Sequence, residues 1–336
     1  MQLYIDSYGA FLGVKDGMFW VKPIETKGKL IAVRKVRSIL LSPSIRVSTD
    51  ALFLALKNSI TVLLLDKIGR SKGLVWSGQY GSISTIRKHQ ALFAQHIQGM
   101  LWIRDLLLQK INNQQSLLKQ LYNDNYLIER EYLNAQKIMA NMIQKFQNWS
   151  TETTSNLKEI AASFRGWEGT ASRAYFYCLS LVIPKQYNFK KRSKHPAYDP
   201  FNACMNYLYG ILYGIIEIAL IKAGIDPYMG VLHTDRYNTP TLVFDVIDQY
   251  RSWVDELIIQ LFLTHPIPSS YFQKTAKEGL WLSFEGKETL VHAFTKHMNQ
   301  IISYKGNKRK RRSHIDINAF QMATMFKFFS PSSFNS

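Results

Sequence analysis

A chain of 336 residues with 46% hydrophobic content holds enough apolar side chains for two domain cores, which excludes disorder over most of its length. Lys and Arg number 42 against 24 Asp and Glu, a formal net charge of +18 at pH 7. An excess of that size points to a polyanionic partner, with nucleic acid the first candidate and an anionic membrane surface the second.

The first ~90 residues read mostly as strands. Short apolar runs at Leu3–Ile5, Phe11–Val14, Met18–Val21, Leu30–Val33 and Ile39–Leu41 alternate with turn signals such as Asp6-Ser7-Tyr8-Gly9 and Lys15-Asp16-Gly17. This spacing predicts β-hairpins in a small sheet or sandwich. Ser48-Thr49-Asp50 caps a short helix ending near Asn58, and Ile60–Leu65 suits a buried strand. Glycines at 69, 73, 78 and 81 place a boundary within Gly69–Ser84. Beyond it the period becomes helical, with long proline-free stretches at Ile86–Lys110 and Leu127–Trp149. The predicted class is α+β: a small N-terminal β-rich sheet or sandwich domain (residues 1–80), then a larger all-helical domain (residues 81–336). The last segment, Ser330–Ser336, is expected to fray.

Three helices of the second domain carry the polar residues of interest. Ala171, Ala174, Tyr175, Cys178, Leu179 and Val182 form one apolar stripe that Pro184 stops. Asp199-Pro200 opens the next helix as N-cap and first turn, and Gly224 closes it. A third is expected to run from Pro240 through Leu257, with Asp245 and Asp248 on the face opposite its apolar side.

Cys178 and Cys204 are too few for a disulfide framework or a four-cysteine zinc site, and read as buried apolar residues in a reducing compartment. The first residues lack a basic start followed by an apolar run, so no signal peptide is expected. The apolar stretch Tyr207–Ile221 contains Glu217 and reads as too short to span a bilayer, so no membrane partner is expected. Phosphate-loop, dinucleotide, nucleophile-elbow and zinc-protease motifs are missing from the sequence.

What remains is an acid and imidazole set. Glu168 lies in Gly166-Trp167-Glu168-Gly169 at the expected entrance of the first helix, where the two glycines would let a backbone or a ligand approach. His233 follows a helix end, and Asp245 and Asp248 lie further on. Plainer roles stand beside the metal-site reading: Glu168 favouring a helix dipole, His233 as a bonded loop histidine, and the aspartates on a solvated face shared with Gln249, Ser252 and Asp255. Local spacing leaves these alternatives open.

At these residues the chain resembles the CRISPR-associated protein one family, the integrases that insert new spacers into CRISPR arrays. The likeness is carried by Arg165–Phe176 (RGWEGTASRAYF), Asp199–Tyr209 (DPFNACMNYLY), Gly230–Thr234 (GVLHT) and Pro240–Arg251 (PTLVFDVIDQYR), in that order and spacing. The resemblance implies that Glu168, His233 and Asp248 are catalytic and bind Mg²⁺ or Mn²⁺, with Asp245 assisting; many members carry Glu where Asp248 stands. It implies a prokaryotic, cytoplasmic, metal-dependent DNA endonuclease or integrase that works by 3′-hydroxyl attack on a phosphodiester. The implied partners are double-stranded DNA (prespacer and CRISPR array) and the CRISPR-associated protein two, which bridges homodimers into a larger hetero-oligomer. The N-terminal domain would then serve dimerisation and partner contacts.

Metal chemistry suits such a set. Two carboxylates ~4 Å apart repel by about 4 kcal/mol at an effective dielectric of ~20, and a divalent ion reverses that sign. Candidate phosphate contacts are Arg165, Arg173, Lys185, Lys190, Lys191, Arg192 and Lys194, together with Lys305–Arg312, which includes Lys308 and Arg309. A solvated basic loop is the plainer reading of each. Asn202 and Asn206, at i and i+4 on an apolar helix, are expected to pair structurally, since an unpaired buried amide costs ~1–3 kcal/mol. The competing functions are a structure-specific nuclease acting on branched DNA and a non-catalytic DNA-binding scaffold.

Overall fold

Turn chemistry and alternating burial divide the N-terminal stretch into short strands, seen here in a computed structural model. It describes all residues except 1, 25, 66–70, 76–81, 151–156, 195, 234–236, 275–278 and 332–336. The chain splits into two units, Met1–Ile83 and Ser84–Ser336. Most of the glycine cluster expected to mark the boundary, and most of the segment expected to fray, lie outside the described residues.

The first unit contains β1 (Gln2–Ile5), β2 (Phe11–Lys15), β3 (Met18–Lys22), β4 (Lys29–Ile31), β5 (Ser38–Leu41), β6 (Arg46–Val47), α1 (Thr49–Lys57), β7 (Thr61–Leu65) and β8 (Ser71–Val75). Asp16 and Gly17 both take positive φ, 53° and 69°, the geometry of a two-residue turn between paired strands β2 and β3. That hairpin belongs to a sheet ordered β4-β3-β2-β6. The second sheet, β1-β5-β7-β8, departs from the expected hairpins, because β1–β5 and β5–β7 pair in parallel. Parallel neighbours need a crossover, and α1, capped by Ser48 as expected, supplies the one between β5 and β7. Leu3, Ile39 and Val62 of one sheet share a core with Leu12, Phe19 and Ile31 of the other and with Ala51 and Ala55 of α1.

The second unit is mostly helical. It carries α2 (Ile83–Ala94), α3 (Ile97–Asn123), α4 (Glu129–Asn148), α5 (Leu157–Val182), α6 (Pro200–Lys222), α7 (Thr241–Ile247), α8 (Arg251–Thr264), α9 (Phe284–Asn299) and α10 (Arg311–Phe328). Two hairpins interrupt the all-helical expectation: β9 (Phe272–Lys274) with β10 (Leu280–Leu282), and β11 (Ile301–Tyr304) with β12 (Asn307–Lys310). The stretch of helical period over Ile86–Lys110 is divided at His96, whose ring nitrogen accepts from the Gln98 N–H and caps α3.

α3 buries a stripe of Ile103, Leu106, Leu107, Ile111, Leu117, Leu118 and Leu121, and this stripe also contains Lys110 and Gln114. α6 behaves as its sequence requires. Asp199 accepts from Asn202 N–H at 2.8 Å, Pro200 opens the first turn, and Gly224 follows the helix at φ +81°. By length and composition α6 is long and apolar enough to cross a membrane, which corrects the shorter stretch read from sequence. Here its Cys204, Leu208, Leu212, Ile216 and Leu220 are buried in the core of the unit.

Candidate active site

Glu168 sits near the middle of α5 rather than at its entrance, so the helix-dipole role does not apply to it. Its neighbour Trp167 packs edge-on against Phe146 and tilted against Phe164, which leaves Glu168 about 100° further round the helix. A Cβ built on Gly166 would meet nothing within 4 Å, and one on Gly169 would meet only the Arg173 guanidinium. No backbone therefore approaches these glycines among the described residues. They leave open space beside the carboxylate, at a helix cost of roughly 0.5–1 kcal/mol each.

The helix expected from Pro240 through Leu257 is two helices, with a turn at Asp248–Tyr250 between α7 and α8. The proposed solvated face is also wrong. Asp245, Asp248, Gln249 and Asp255 are all buried. Each meets polar partners, as buried polar groups must. Asp255 accepts from the phenols of Tyr175 (3.0 Å) and Tyr209 (2.5 Å). The Gln249 carbonyl accepts from Asn113 of α3 at 3.0 Å, and its side-chain oxygen accepts from Asn318 of α10 at 3.0 Å. The turn that follows Asp248 is thus held from two sides.

Asp245 organises the histidine loop. One of its carboxylate oxygens accepts from the Val231 N–H (2.7 Å) and the Leu232 N–H (3.2 Å). The other meets the His233 N–H (3.2 Å) and His233 Nδ1 (2.6 Å). Burial raises the Asp245 pKa despite these bonds. With Nδ1 engaged, Nε2 is the ring nitrogen left to serve as a ligand. Gly230 is required here, since a Cβ would clash with the His233 carbonyl oxygen and lie 2.8 Å from Thr241 Cβ. Arg165 of α5 donates to the Leu232 carbonyl at 3.1 Å and ties the loop to the Glu168 helix.

Glu168, His233 and Asp248 line one cleft of about 590 Å³. Asp245 lies behind it. Between the two acids stands Lys110, which the sequence reading did not single out. Its Nζ is 2.5 Å from Glu168 Oε1 and 3.3 Å from Asp248 Oδ2. Ser172 also donates to Glu168 Oε1, at 2.6 Å. Arg251 closes the far side of Asp248, with Nε 2.7 Å from Oδ1, and its guanidinium stacks over the Tyr209 ring. Burial works against charge at Asp248, but Lys110 and then Arg251 outweigh it and hold the carboxyl below its usual range. Burial likewise opposes the Lys110 charge, and Asp248 and Glu168 together still raise its pKa.

The missed lysine had a sequence signal. Lys110 and Gln114 are polar residues on the stripe of α3 that is otherwise apolar, and a charge there needs a buried partner.

No three His, Cys, Asp or Glu side chains among the described residues form a ready-made metal cluster. The donor set nevertheless fits a cation, because one already stands between two of the expected ligands: the Lys110 ammonium. Two carboxylates and an imidazole suit Mg²⁺ or Mn²⁺.

The cleft wall also carries the cations Arg165, Arg173, Lys190, Lys191, Arg192 and Lys194, interleaved with Phe176, Tyr177 and Tyr209. Asn202 and Asn206 shape this basic loop. Asn202 Oδ1 accepts from Arg192 and from the Ser193 N–H, both at 2.9 Å, and its Nδ2 donates to the Lys191 carbonyl at 2.8 Å. Asn206 donates to the Ser193 carbonyl at 3.2 Å. The amides therefore pair structurally, as expected. Lys185, Lys308 and Arg309 are not among the residues lining this cleft. Arg311, counted with the basic run, is buried and paired with Glu256 at 2.9 Å.

A mixed β unit followed by a helical unit makes the fold, and solved structures share that fold. A casposase bound to integration product superposes with a TM-score of 0.70 at 18% identity, covering 97% of this chain and 96% of that one. A Cas6-RT-Cas1–Cas2 complex contains a chain that matches equally well (0.70, 20% identity), covering 97% of this chain and 35% of the longer one. Among sequences, the CRISPR-associated endonuclease Cas1 1 of Archaeoglobus fulgidus is 29% identical over 335 residues, 95% of this chain and 94% of its own. Residues 3–296 match the family described as CRISPR associated protein Cas1, and the chain belongs to that family.

Proposed function

We propose that this protein is a metal-dependent DNA integrase of CRISPR adaptation, which joins a free DNA 3′-hydroxyl to a phosphodiester of the repeat array. The observation that carries this reading is the meeting of Glu168, His233 and Asp248 in one cationic cleft. In the reaction the 3′-oxygen of the incoming strand forms a bond to phosphorus, and the bond to another 3′-oxygen breaks. The attacking hydroxyl loses its proton to solvent, and the departing oxygen takes one up. A bound divalent ion supplies Lewis-acid stabilisation of charge on the phosphate and on those oxygens. Glu168, Asp248 and His233 Nε2 would hold that ion. Asp245 fixes the tautomer and direction of the imidazole through Nδ1. Arg165, Arg173 and the Lys190–Lys194 loop bind phosphates and set the position of the DNA without reading its sequence.

The casposase structure holds an integration product, and another relative is held in an assembly with Cas2. The first supports DNA joining here and the second supports an assembly with a Cas2-type partner; in this proposal that partner bridges homodimers of this chain. The test offers a labelled DNA segment with free 3′ ends, together with supercoiled target, in Mg²⁺ or Mn²⁺. Wild type should join them covalently. Glu168→Ala, His233→Ala and Asp248→Ala should each abolish joining while sparing DNA binding. Retained joining in any of the three contradicts the site, and cleavage without joining would favour a branched-DNA nuclease.

A further inference from the structure

Lys110 reaches the site from the apolar stripe of α3, and its side chain is only 10% exposed. A lysine placed there loses solvation and is stable only against opposite charge. It finds that charge twice, on Glu168 and on Asp248. With Arg251 on the other side of Asp248, the formal charges of the two acids are already balanced by the protein's own cations. A divalent ion entering between the carboxylates would face the ammonium at close range, where like charges repel strongly in a partly desolvated cleft.

We infer that Lys110 is a resident cation: it holds Glu168 and Asp248 together in the metal-free protein, and it must leave them before a divalent ion binds. Lys110 is therefore a positioning residue that sets metal affinity. This rests on the reading of Glu168 and Asp248 as cation ligands. On leaving the two acids, the ammonium moves within the cleft that it already lines with Arg165, Arg173, Lys190 and Lys191, where a DNA phosphate offers replacement charge. Phosphate binding and metal binding then favour one another reciprocally. A DNA duplex should raise Mn²⁺ affinity in wild type, and less so once the ammonium is removed.

Mn²⁺ binding to the full-length protein, measured by titration calorimetry, tests the inference. Lys110→Met should bind Mn²⁺ at least about tenfold more tightly than wild type, a change of roughly 1.4 kcal/mol. Lys110→Arg keeps the charge and should stay within about threefold of wild type. Glu168→Gln should abolish binding. A second measurement needs no variant. Reductive methylation of wild-type Lys110, read by mass spectrometry, should rise several-fold in Mn²⁺ relative to EDTA as the ammonium is released. Should Lys110→Met fail to fold, equal methylation under the two conditions overturns the inference. Unchanged or weaker Mn²⁺ affinity in folded Lys110→Met, with binding still dependent on Glu168, overturns it and leaves the metal reading standing. Absence of Glu168-dependent binding in every protein overturns both.

Discussion

Asp245 makes no claim on the metal in this geometry, yet the histidine depends on it. It gathers three consecutive N–H groups and the imidazole onto one carboxylate. Asp245→Asn places an amide NH₂ where an acceptor is needed, so the ring should lose its fixed direction. Strand transfer is expected to fall about 10- to 100-fold while DNA binding stays within about twofold, as for other partners that orient metal ligands. A gel assay of joined product beside a binding titration checks it. Normal joining in Asp245→Asn would show that His233 needs no such support. Gly230 belongs to the same argument. Gly230→Ala forces the loop off the His233 carbonyl and the Thr241 side chain, and should cost about 1–3 kcal/mol in a denaturation midpoint.

Elements explain how these residues meet, and also a pH dependence away from the cleft. His297 of α9 is buried beside Arg311 of α10 and Glu256 of α8. Burial first and Arg311 second push its pKa from 6.5 down to about 4. The unfolded chain therefore binds a proton that the folded chain refuses, so stability present above pH ~6.5 is lost as pH falls toward ~4, by up to about 3 kcal/mol. Urea midpoints at pH 7 and pH 4.5 should show the loss, with a shallower slope in His297→Gln. What the sequence made legible at this scale is what local chemistry fixes. The cap at Asp199-Pro200, the left-handed Gly224 and the Asp16-Gly17 turn are each written in adjacent residues. The parallel pairing of β1, β5 and β7, and the break between α7 and α8, are not. Strand pairing is settled by crossovers. The break at Asp248–Tyr250 lies where Asn113 and Asn318 reach in from helices distant in sequence. The same limit hid Lys110, whose place on an apolar stripe was visible but whose two acidic partners were not.

At the scale of the molecule, a charge of +18 must be met by something, and the cationic wall of the cleft gives it a direction. Binding to duplex DNA should weaken steeply with salt, because each neutralised phosphate releases condensed counterions. Replacing both Lys190 and Lys191 by Ala should weaken binding alike for unrelated sequences and make the log–log salt slope shallower by about 2. An unchanged slope would place the DNA elsewhere. Family membership and the shared fold fit the proposed DNA joining, and that proposal turns on a cation held by Glu168, His233 and Asp248. Crystals of the full-length protein soaked in Mn²⁺, with data collected at the manganese edge, address that point. One anomalous peak in the cleft, touching Glu168, His233 and Asp248 and with Lys110 withdrawn, is the expected result. Full-occupancy manganese bound elsewhere, with Lys110 still seated between the two acids, would contradict it.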